Sequence, residues 1–260
     1  MDKTSNGRRK FMKSSLAGVG LLSLPQLVYG SAEQSGKKKI VVVGGHPDDP
    51  ECGTGGTVPL LIKAGHEVTL LYFTNGDEGI EDKTHEEAAA IRKKECEAAC
   101  KILGAKPLFF NQIDGESVIN NLEMARFQKL LWAEKPHVVF CHWPIDSHKD
   151  HQLSSVLTMQ AWMEAPVPFA LYFYEVCMGY QSFLFHPTDY VDISETQALK
   201  WKALACHASQ KIIGADGKYT QMMHDCGHPS MEDFRGKELG VQAAEAFIRM
   251  TGRGMGKLIL

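Results

Sequence analysis

Short apolar runs alternate with longer amphipathic segments along the first part of the chain. Four runs have the apolar, mostly β-branched composition of buried parallel strands: Lys39 to Gly44, Glu67 to Phe73, Pro107 to Phe110 and His137 to Cys141. Three intervening segments are predicted to be helices: Thr57 to Gly65, His85 to Leu103 and Leu122 to Ala133. This alternation predicts an α/β fold, a Rossmann-like, mostly parallel, doubly wound sheet flanked by helices.

The pattern becomes less regular after the fourth predicted strand. We predict a helix, a strand, two late helices and a loop-rich stretch: His151 to Met163, Phe169 to Val176, Thr196 to Gln210, Met231 to Met250 and, for the loop-rich stretch, Ile213 to Pro229. These segments are expected to form an irregular C-terminal cap. No internal repeat or linker divides residues 38–260, so we predict that they form one domain.

Residues 1–32 have the features of an export signal. Arg8 and Arg9 precede an apolar stretch from Leu16 to Val28 that is too short to cross a bilayer comfortably, and small residues follow at Gly30 and Ala32. The arginine pair resembles a twin-arginine signal. We expect cleavage in this region, a flexible mature N-terminus over residues 33–37 and a periplasmic or extracellular protein without an integral membrane span.

Composition narrows the classes of partner. The formal net charge is −3, and basic and acidic residues are mixed along the chain. A basic stripe for a phosphate backbone is therefore lacking, and nucleic acid is not expected to bind. The seven cysteines are an odd number without the dense spacing of a disulfide scaffold, so buried thiols are expected instead.

Two polar clusters follow two of the predicted strands. His46-Pro47-Asp48-Asp49-Pro50-Glu51 comes directly after the first strand, and Asp146 to His151 follows the fourth. In a doubly wound order these strands lie side by side at the switch point, where such sheets bind ligands. We therefore expect the two clusters to meet in space.

The two clusters supply the residue types of a catalytic zinc site. Such sites commonly combine two imidazoles and a carboxylate with an open position for water. His46, Asp49 and His151 are the predicted metal ligands, and these ligand types do not distinguish Zn²⁺ from another divalent ion.

The remaining polar residues of the clusters are predicted to act in catalysis. Zinc lowers the pKa of a bound water to about 7, and Asp48 is predicted to be the general base that accepts its proton. His148 is predicted to stabilise the oxyanion, to protonate the departing amine, or to do both. Asp150 is expected either to fix the tautomer of His148 or to brace a metal ligand.

Together these motifs resemble the LmbE/PIG-L family of zinc-dependent N-acetylglucosaminyl deacetylases. The family's His-Pro-Asp-Asp-x-Glu is similar to His46 to Glu51, and its His-Pro-Asp-His is similar to His148 to His151, with Lys149 in place of the proline. Further similarity covers the following segments: Gly53 to Thr57, Thr74 to Gly79, the helix with Arg92 and Glu95, and Lys202 to Gln210. The resemblance therefore spans about residues 38–210.

The resemblance implies zinc-dependent removal of an N-acetyl group from a GlcNAc-type sugar or glycoconjugate. It also implies the ligand and catalytic roles given above. One departure concerns sugar recognition, because family members that bind amino sugars often have an arginine shortly after the loop of the second strand. Here Ile80-Glu81-Asp82-Lys83 follows Gly79. A zinc amidase acting on another acyl conjugate is therefore the alternative activity.

Non-enzymatic binding modules are the alternatives from another class. Gly53-Thr54-Gly55-Gly56 suggests a nucleotide-binding turn, but its glycine spacing differs from the dinucleotide fingerprint and nearby carboxylates would repel phosphate. A glycan-binding protein would not need Asp48 and His148 beside a metal.

Overall fold

The computed structural model describes residues 36–176, 181–213, 219–221 and 228–252. Its strands are β1 (Lys39–Gly44), β2 (Glu67–Thr74), β3 (Lys106–Gln112), β4 (Val138–His142), β5 (Ala170–Tyr174), β6 (Asp189–Asp192), β7 (Lys211–Ile213), β8 (Tyr219–Gln221) and β9 (Ala244–Arg249). Its helices are α1 (Asp49–Thr54), α2 (Thr57–Lys63), α3 (His85–Leu103), α4 (Asn121–Ala133), α5 (Lys149–Met163), α6 (Gln197–Leu204) and α7 (His228–Leu239). The predicted export signal, residues 1–32, lies outside the described residues. Among the described helices, none combines the length and the apolar character needed to cross a membrane.

Seven strands form one sheet in the order β3-β2-β1-β4-β5-β9-β6. β1 runs parallel to β2 and β4, with Val42 beside Leu70 on one side and Phe140 on the other. In this sheet β9 alone runs opposite to the other six strands, and it is antiparallel to both β5 and β6. The predicted mostly parallel, doubly wound sheet is confirmed. Because the chain leaves β1 toward β2 and later returns to β4 on its other side, the carboxyl ends of β1 and β4 flank the switch point.

Both faces of β1 are buried. Ile40 and Val42 pack in the hydrophobic layer that includes residues of α3, and Val41 and Val43 pack in the layer that includes residues of α4 and α5. These four residues are at most 2% exposed. A parallel strand covered by helices on both sides needs apolar residues at consecutive positions, which explains the uninterrupted run.

Helix α3 has the bounds that the sequence predicts, and local signals explain both ends. The Thr84 hydroxyl accepts a hydrogen bond from the Glu87 N–H at 3.2 Å, and the Glu87 carboxylate accepts one from the Thr84 N–H at 3.0 Å. This reciprocal pair is a capping box. At the other end Gly104 adopts a φ of 78°, a left-handed conformation that glycine tolerates and that terminates the helix.

The C-terminal part differs from the predicted elements. The predicted helix over Met231 to Met250 is wrong in its second half, because α7 ends at Leu239, Gly240 adopts a φ of 83° and β9 follows. β9 lies between β5 and β6, so its backbone groups bond to strands on both sides, and this tertiary pairing overrides a helical apolar pattern.

Two further predictions in this part need adjustment. The helix predicted over Thr196 to Gln210 is confined to Gln197–Leu204. Part of the predicted loop-rich stretch, Ile213 to Pro229, lies outside the described residues, although β8 and the start of α7 fall within it.

Candidate metal centre

His46 and Asp49 lie where β1 turns into α1. Asp49 is the first residue of α1, and its Oδ2 accepts a hydrogen bond from the His46 backbone N–H at 2.7 Å. The turn is crowded at Gly45, where an added Cβ would lie 2.7 Å from His151 Cδ2 and 3.2 Å from Asp49 Oδ2. A glycine at this position therefore lets the two clusters approach each other.

His151 reaches the same point from α5. It lies in the first turn of this helix and is 1% exposed. Its Nε2 is 3.2 Å from His46 Nδ1 and 3.2 Å from Asp49 Oδ2. The third separation, between His46 Nδ1 and Asp49 Oδ2, is 3.3 Å. The structure thus brings the three predicted ligand residues together.

The spacing of these three atoms suits a tetrahedral cation. Bonds of about 2.0–2.1 Å from Zn²⁺ to nitrogen and oxygen place neighbouring ligand atoms about 3.3–3.4 Å apart in a tetrahedron. The three atoms therefore correspond to one face of the tetrahedron. A fourth position remains for water or substrate, as in catalytic zinc sites.

Carboxylates orient both histidines. His151 Nδ1 lies 3.0 Å from Asp146 Oδ1, and His46 Nε2 lies 3.1 Å from both Asp114 Oδ1 and Asp150 Oδ2. A carboxylate accepts hydrogen bonds, so each ring carries a proton on the nitrogen that faces it. When the imidazoles are neutral, the lone pairs of His151 Nε2 and His46 Nδ1 point to the shared position. Metal-binding histidines are usually oriented in this way.

Protonation competes with a cation at this position. Burial lowers the pKa of His151, but the carboxylates of Asp49 and Asp146 outweigh burial and raise this pKa to about 9. Burial also opposes protonation of His46, yet its carboxylate neighbours raise its pKa well above the usual value. The pKa of Asp49 lies well below its usual range because nearby imidazoles outweigh the opposing effect of burial. Metal binding near neutral pH is therefore coupled to proton release.

The side chain of Asp150 contacts His46, whereas only its backbone N–H reaches the ring of His148. Its side chain is fully buried, and its Oδ1 and Oδ2 also accept hydrogen bonds from the Ser117 hydroxyl and, at 2.8 Å, from the Gly115 N–H. This position corresponds to the second predicted alternative for Asp150, in which it braces a ligand residue.

His148 lies beside His46 and His151, and its ring proton is on Nε2. Its ring centroid is 4.4 Å from that of His46 and 4.9 Å from that of His151. His148 Nδ1 accepts a hydrogen bond from the Asp150 N–H at 3.3 Å, so the neutral ring carries its proton on Nε2. Burial and the charges of the other two histidines lower the pKa of His148 and favour this neutral form.

Asp48 is held on the α3 side of the turn. Its Oδ2 lies 2.8 Å from Arg92 Nη2, and its side chain is 14% exposed. Burial raises the pKa of Asp48, and the positive charge of Arg92 only partly offsets this effect. The predicted base is therefore next to the ligand Asp49 in sequence but has a different partner.

Residues 41–162 match the family model described as PIG-L: GlcNAc-PI de-N-acetylase. This segment contains both polar clusters and the three predicted ligand residues. The chain carries a PIG-L family domain over these residues. The resemblance inferred from the motifs is thereby confirmed, and both clusters lie within the matched segment.

The proteins similar to this chain include sugar deacetylases. The chain is 27% identical to a diacetylchitobiose deacetylase of Thermococcus kodakarensis over 188 residues, which cover 66% of this chain and 70% of the relative. It is similar in structure to the N,N'-diacetylchitobiose deacetylase of Pyrococcus horikoshii, with a TM-score of 0.72, 26% identity and coverage of 85% and 87% of the two chains.

A 4-carboxy-2-hydroxymuconate hydratase of Pseudomonas putida KT2440 is also similar in structure. The TM-score is 0.68 and the identity 20%, with 85% of this chain and 100% of the hydratase covered. At this identity the likeness shows a shared fold alone.

The PIG-L domain contains a further buried histidine that was not among the predicted site residues. His142 ends β4, and its Nε2 lies 3.1 Å from Asp49 Oδ2 and accepts a hydrogen bond from the Gly45 N–H at 3.0 Å. Asp49, His142 and His151 are one of the groups whose ligand atoms lie close enough to hold a cation. Within the described residues, His142 Nδ1 is buried without a hydrogen-bond partner, so no carboxylate orients this ring. The group with His46 therefore suits a metal better.

Two carboxylates next to the predicted ligand histidines were also not among the predicted site residues. Asp114 follows the edge strand β3, and its N–H donates to Asp77 Oδ1 at 2.9 Å, so its loop reaches across the loop after β2. Asp146 precedes α5 and also accepts a hydrogen bond from the His148 N–H at 2.8 Å. Asp146 could have been identified from its position five residues before His151, whereas nothing local in the sequence reveals the reach of Asp114.

The glycine-rich turn of the PIG-L domain binds a carboxylate of the chain itself. The N–H groups of Gly56 and Thr57 donate to the Glu245 carboxylate at 2.9 and 2.8 Å. Lys200 Nζ donates to the same carboxylate at 2.8 Å. The groups at the start of α2 that would bind a phosphate are already used, and the nucleotide-binding alternative is not supported.

Proposed function

We propose that this protein is a zinc-dependent N-deacetylase that hydrolyses the acetamido group of a GlcNAc-type sugar or glycoconjugate to a free amine and acetate. The observation that carries the proposal is the pair of carboxylate-backed histidines, His46 and His151, that converge with Asp49. The tetrahedral spacing of the three ligand atoms supports zinc as the metal. A bound Zn²⁺ would supply Lewis acidity that makes water a stronger acid and an acyl carbonyl a stronger electrophile.

The proposed base is Asp48. Its Oδ2 is engaged by Arg92, and its Oδ1 accepts no hydrogen bond from the described residues. Oδ1 takes a proton from the attacking water as the new bond between oxygen and the acyl carbon forms. The same carboxyl then returns the proton to the nitrogen as the C–N bond breaks, so that a neutral amine and acetic acid form, and the acid loses its proton to give acetate.

His148 is proposed to stabilise the acyl oxygen. Its Nε2–H is free because Nδ1 accepts from the backbone of α5. A neutral imidazole donor placed before the reaction stabilises the negative charge that develops on this oxygen in the transition state. Its role is thus that of a hydrogen-bond donor.

GlcNAc-type substrates are proposed because two similar proteins are diacetylchitobiose deacetylases. The segment Ile80-Glu81-Asp82-Lys83 offers no arginine for sugar recognition, so the alternative remains a zinc amidase acting on another acyl conjugate. Acetate release from N-acetyl sugars, compared with release of other acyl groups from amides, separates the two activities.

The proposal is tested by metal content and acetate release for the mature protein. We expect close to one zinc per chain and acetate from at least one of GlcNAc, diacetylchitobiose and a GlcNAc glycolipid. The His151→Ala variant should lose both metal and activity. Asp48→Asn should keep the metal while turnover falls by about two orders of magnitude, as expected for a lost general base. A protein that binds no divalent metal would contradict the proposal.

We further propose that the enzyme acts outside the cytoplasm. The support is the sequence of residues 1–32, with Arg8 and Arg9 ahead of the apolar stretch. Replacing both arginines with lysine should retain the protein in the cytoplasm, as measured by cell fractionation. Unchanged export of this variant would argue for a different route.

A further inference from the structure

Asp48 has a backbone conformation that non-glycine residues rarely adopt. Its φ is 110° and its ψ is −28°, immediately before α1 begins at Asp49. A Cβ is disfavoured in this region, so the conformation persists only where surrounding contacts impose it. The residue proposed as the base therefore depends on contacts outside its own turn.

Arg92 provides these contacts from α3. Its Nη2 donates both to Asp48 Oδ2, at 2.8 Å, and to the backbone carbonyl of Pro47. One nitrogen thus holds the peptide that precedes Asp48 and the Asp48 side chain at the same time. The Arg92 side chain is 2% exposed, so solvent competes little for either hydrogen bond.

The guanidinium group is itself fixed. Arg92 Nη1 donates to Glu95 Oε2 at 2.9 Å, and the same carboxylate accepts from the Ser209 N–H and hydroxyl at 2.7 and 2.8 Å. On another side, an added Cβ at Gly76 would lie 3.1 Å from Arg92 Nε and 2.9 Å from Pro47 Cδ. The loop after β2 therefore packs closely against both Arg92 and the turn that Arg92 holds.

We propose that Arg92 is the positioning residue for Asp48, fixing the direction of its carboxylate relative to the metal ligands. The contact uses one guanidinium nitrogen and one carboxylate oxygen, which leaves Oδ1 for the reacting water; a bidentate pair would occupy both oxygens. This inference rests on the proposed function, since it concerns the base of that reaction. Arg92 acts through Asp48 and does not itself contact the substrate.

A double-mutant cycle separates positioning from a merely structural ion pair. Arg92→Gln should lower kcat by about 10- to 100-fold while KM changes by less than about threefold and metal content is unchanged. In the Asp48→Asn background, Arg92→Gln should lower kcat by less than about threefold, because the effects of two residues that act as a unit do not add. An equal loss in both backgrounds would overturn the proposal.

Arg235→Gln is the matched control. Arg235 is 5% exposed and bonds Glu175 through Nε and Nη2 at 2.6 and 2.8 Å, but it has no contact with Asp48 among the described residues. It should have the same small effect on kcat in both backgrounds. If Arg92→Gln does not fold, Arg92→Lys replaces it in the cycle, because an ammonium keeps the charge but lacks the planar donor fork. The lysine variant should show the same non-additivity with a smaller loss of kcat, and additivity would again overturn the proposal.

Failure of the proposed function gives a different result. In that case the wild-type protein would release no acetate from any substrate tested, before any variant is compared. An active wild-type enzyme with additive effects of Arg92 and Asp48 would refute only the positioning role.

Discussion

Replacing Asp146 with asparagine should weaken metal binding by about 10- to 100-fold, which corresponds to about 1.4–2.7 kcal/mol. Asp146 Oδ1 accepts from His151 Nδ1 at 3.0 Å and from the His148 N–H at 2.8 Å. An asparagine oxygen can keep both contacts, so the main loss is one negative charge. At an effective dielectric constant of about 20, a unit charge about 7 Å from a divalent cation contributes at most about 5 kcal/mol. The retained oxygen and solvent access reduce this upper bound to the expected range.

The assay is a competition titration of the metal-free protein against a chromophoric zinc chelator at fixed pH. Asp192→Asn is the matched control, because Asp192 is exposed and its carboxylate bonds Ser194 at the end of β6. Its zinc affinity should equal that of the wild type. A folded Asp146→Asn variant with zinc affinity within threefold of the wild type would refute the argument that the negative charge of this carboxylate strengthens metal binding.

Other predictions concern pH and stability. Because carboxylate neighbours raise the pKa of His151 to about 9 in the metal-free protein, zinc affinity should rise between pH 6 and pH 8, by about tenfold per pH unit for each displaced proton. Calorimetry showing the same zinc affinity at pH 6 and pH 8 would contradict this prediction. Lys200→Met should lower the free energy of unfolding by about 3–5 kcal/mol in urea denaturation, because it strands two buried carboxylates. Gly53→Ala should lower the free energy of unfolding by about 1–3 kcal/mol, because its Cβ would overlap the buried Tyr174 ring. Gly36→Ala is the control and should leave the free energy of unfolding nearly unchanged, because the space around Gly36 is open.

The predicted elements that match the structure best, β1 and α3, are specified by local sequence signals. The apolar run of β1 and the capping box and terminal glycine of α3 each specify their element without distant contacts. The C-terminal part depends on tertiary pairing instead. Ala244–Arg249 has residues compatible with a helix, and only the gap between β5 and β6 makes it a strand, although Gly240 was a usable stop signal.

The residues of the candidate site also differ in whether local sequence could reveal them. His46, Asp49 and His151 could be predicted as ligands because two strand ends that are adjacent at a switch point both carry metal-binding residue types. The same rule could have found His142, the last residue of β4. Asp114 and the contact between Asp48 and Arg92 depend on how loops and α3 pack over the sheet, which local sequence patterns do not encode.

The contact of Glu245 with the start of α2 has a consequence for the order of folding. It joins residues 188 positions apart, so the Glu245 carboxylate is synthesised long after the turn that it anchors. Until then the segment that connects the metal-binding turn to α2 lacks its anchor, and closing so large a loop is entropically costly and slow. A stable metal site should therefore form only after Glu245 has been synthesised. If the chain is exported folded, metal loading has only the interval between synthesis of Glu245 and passage across the membrane.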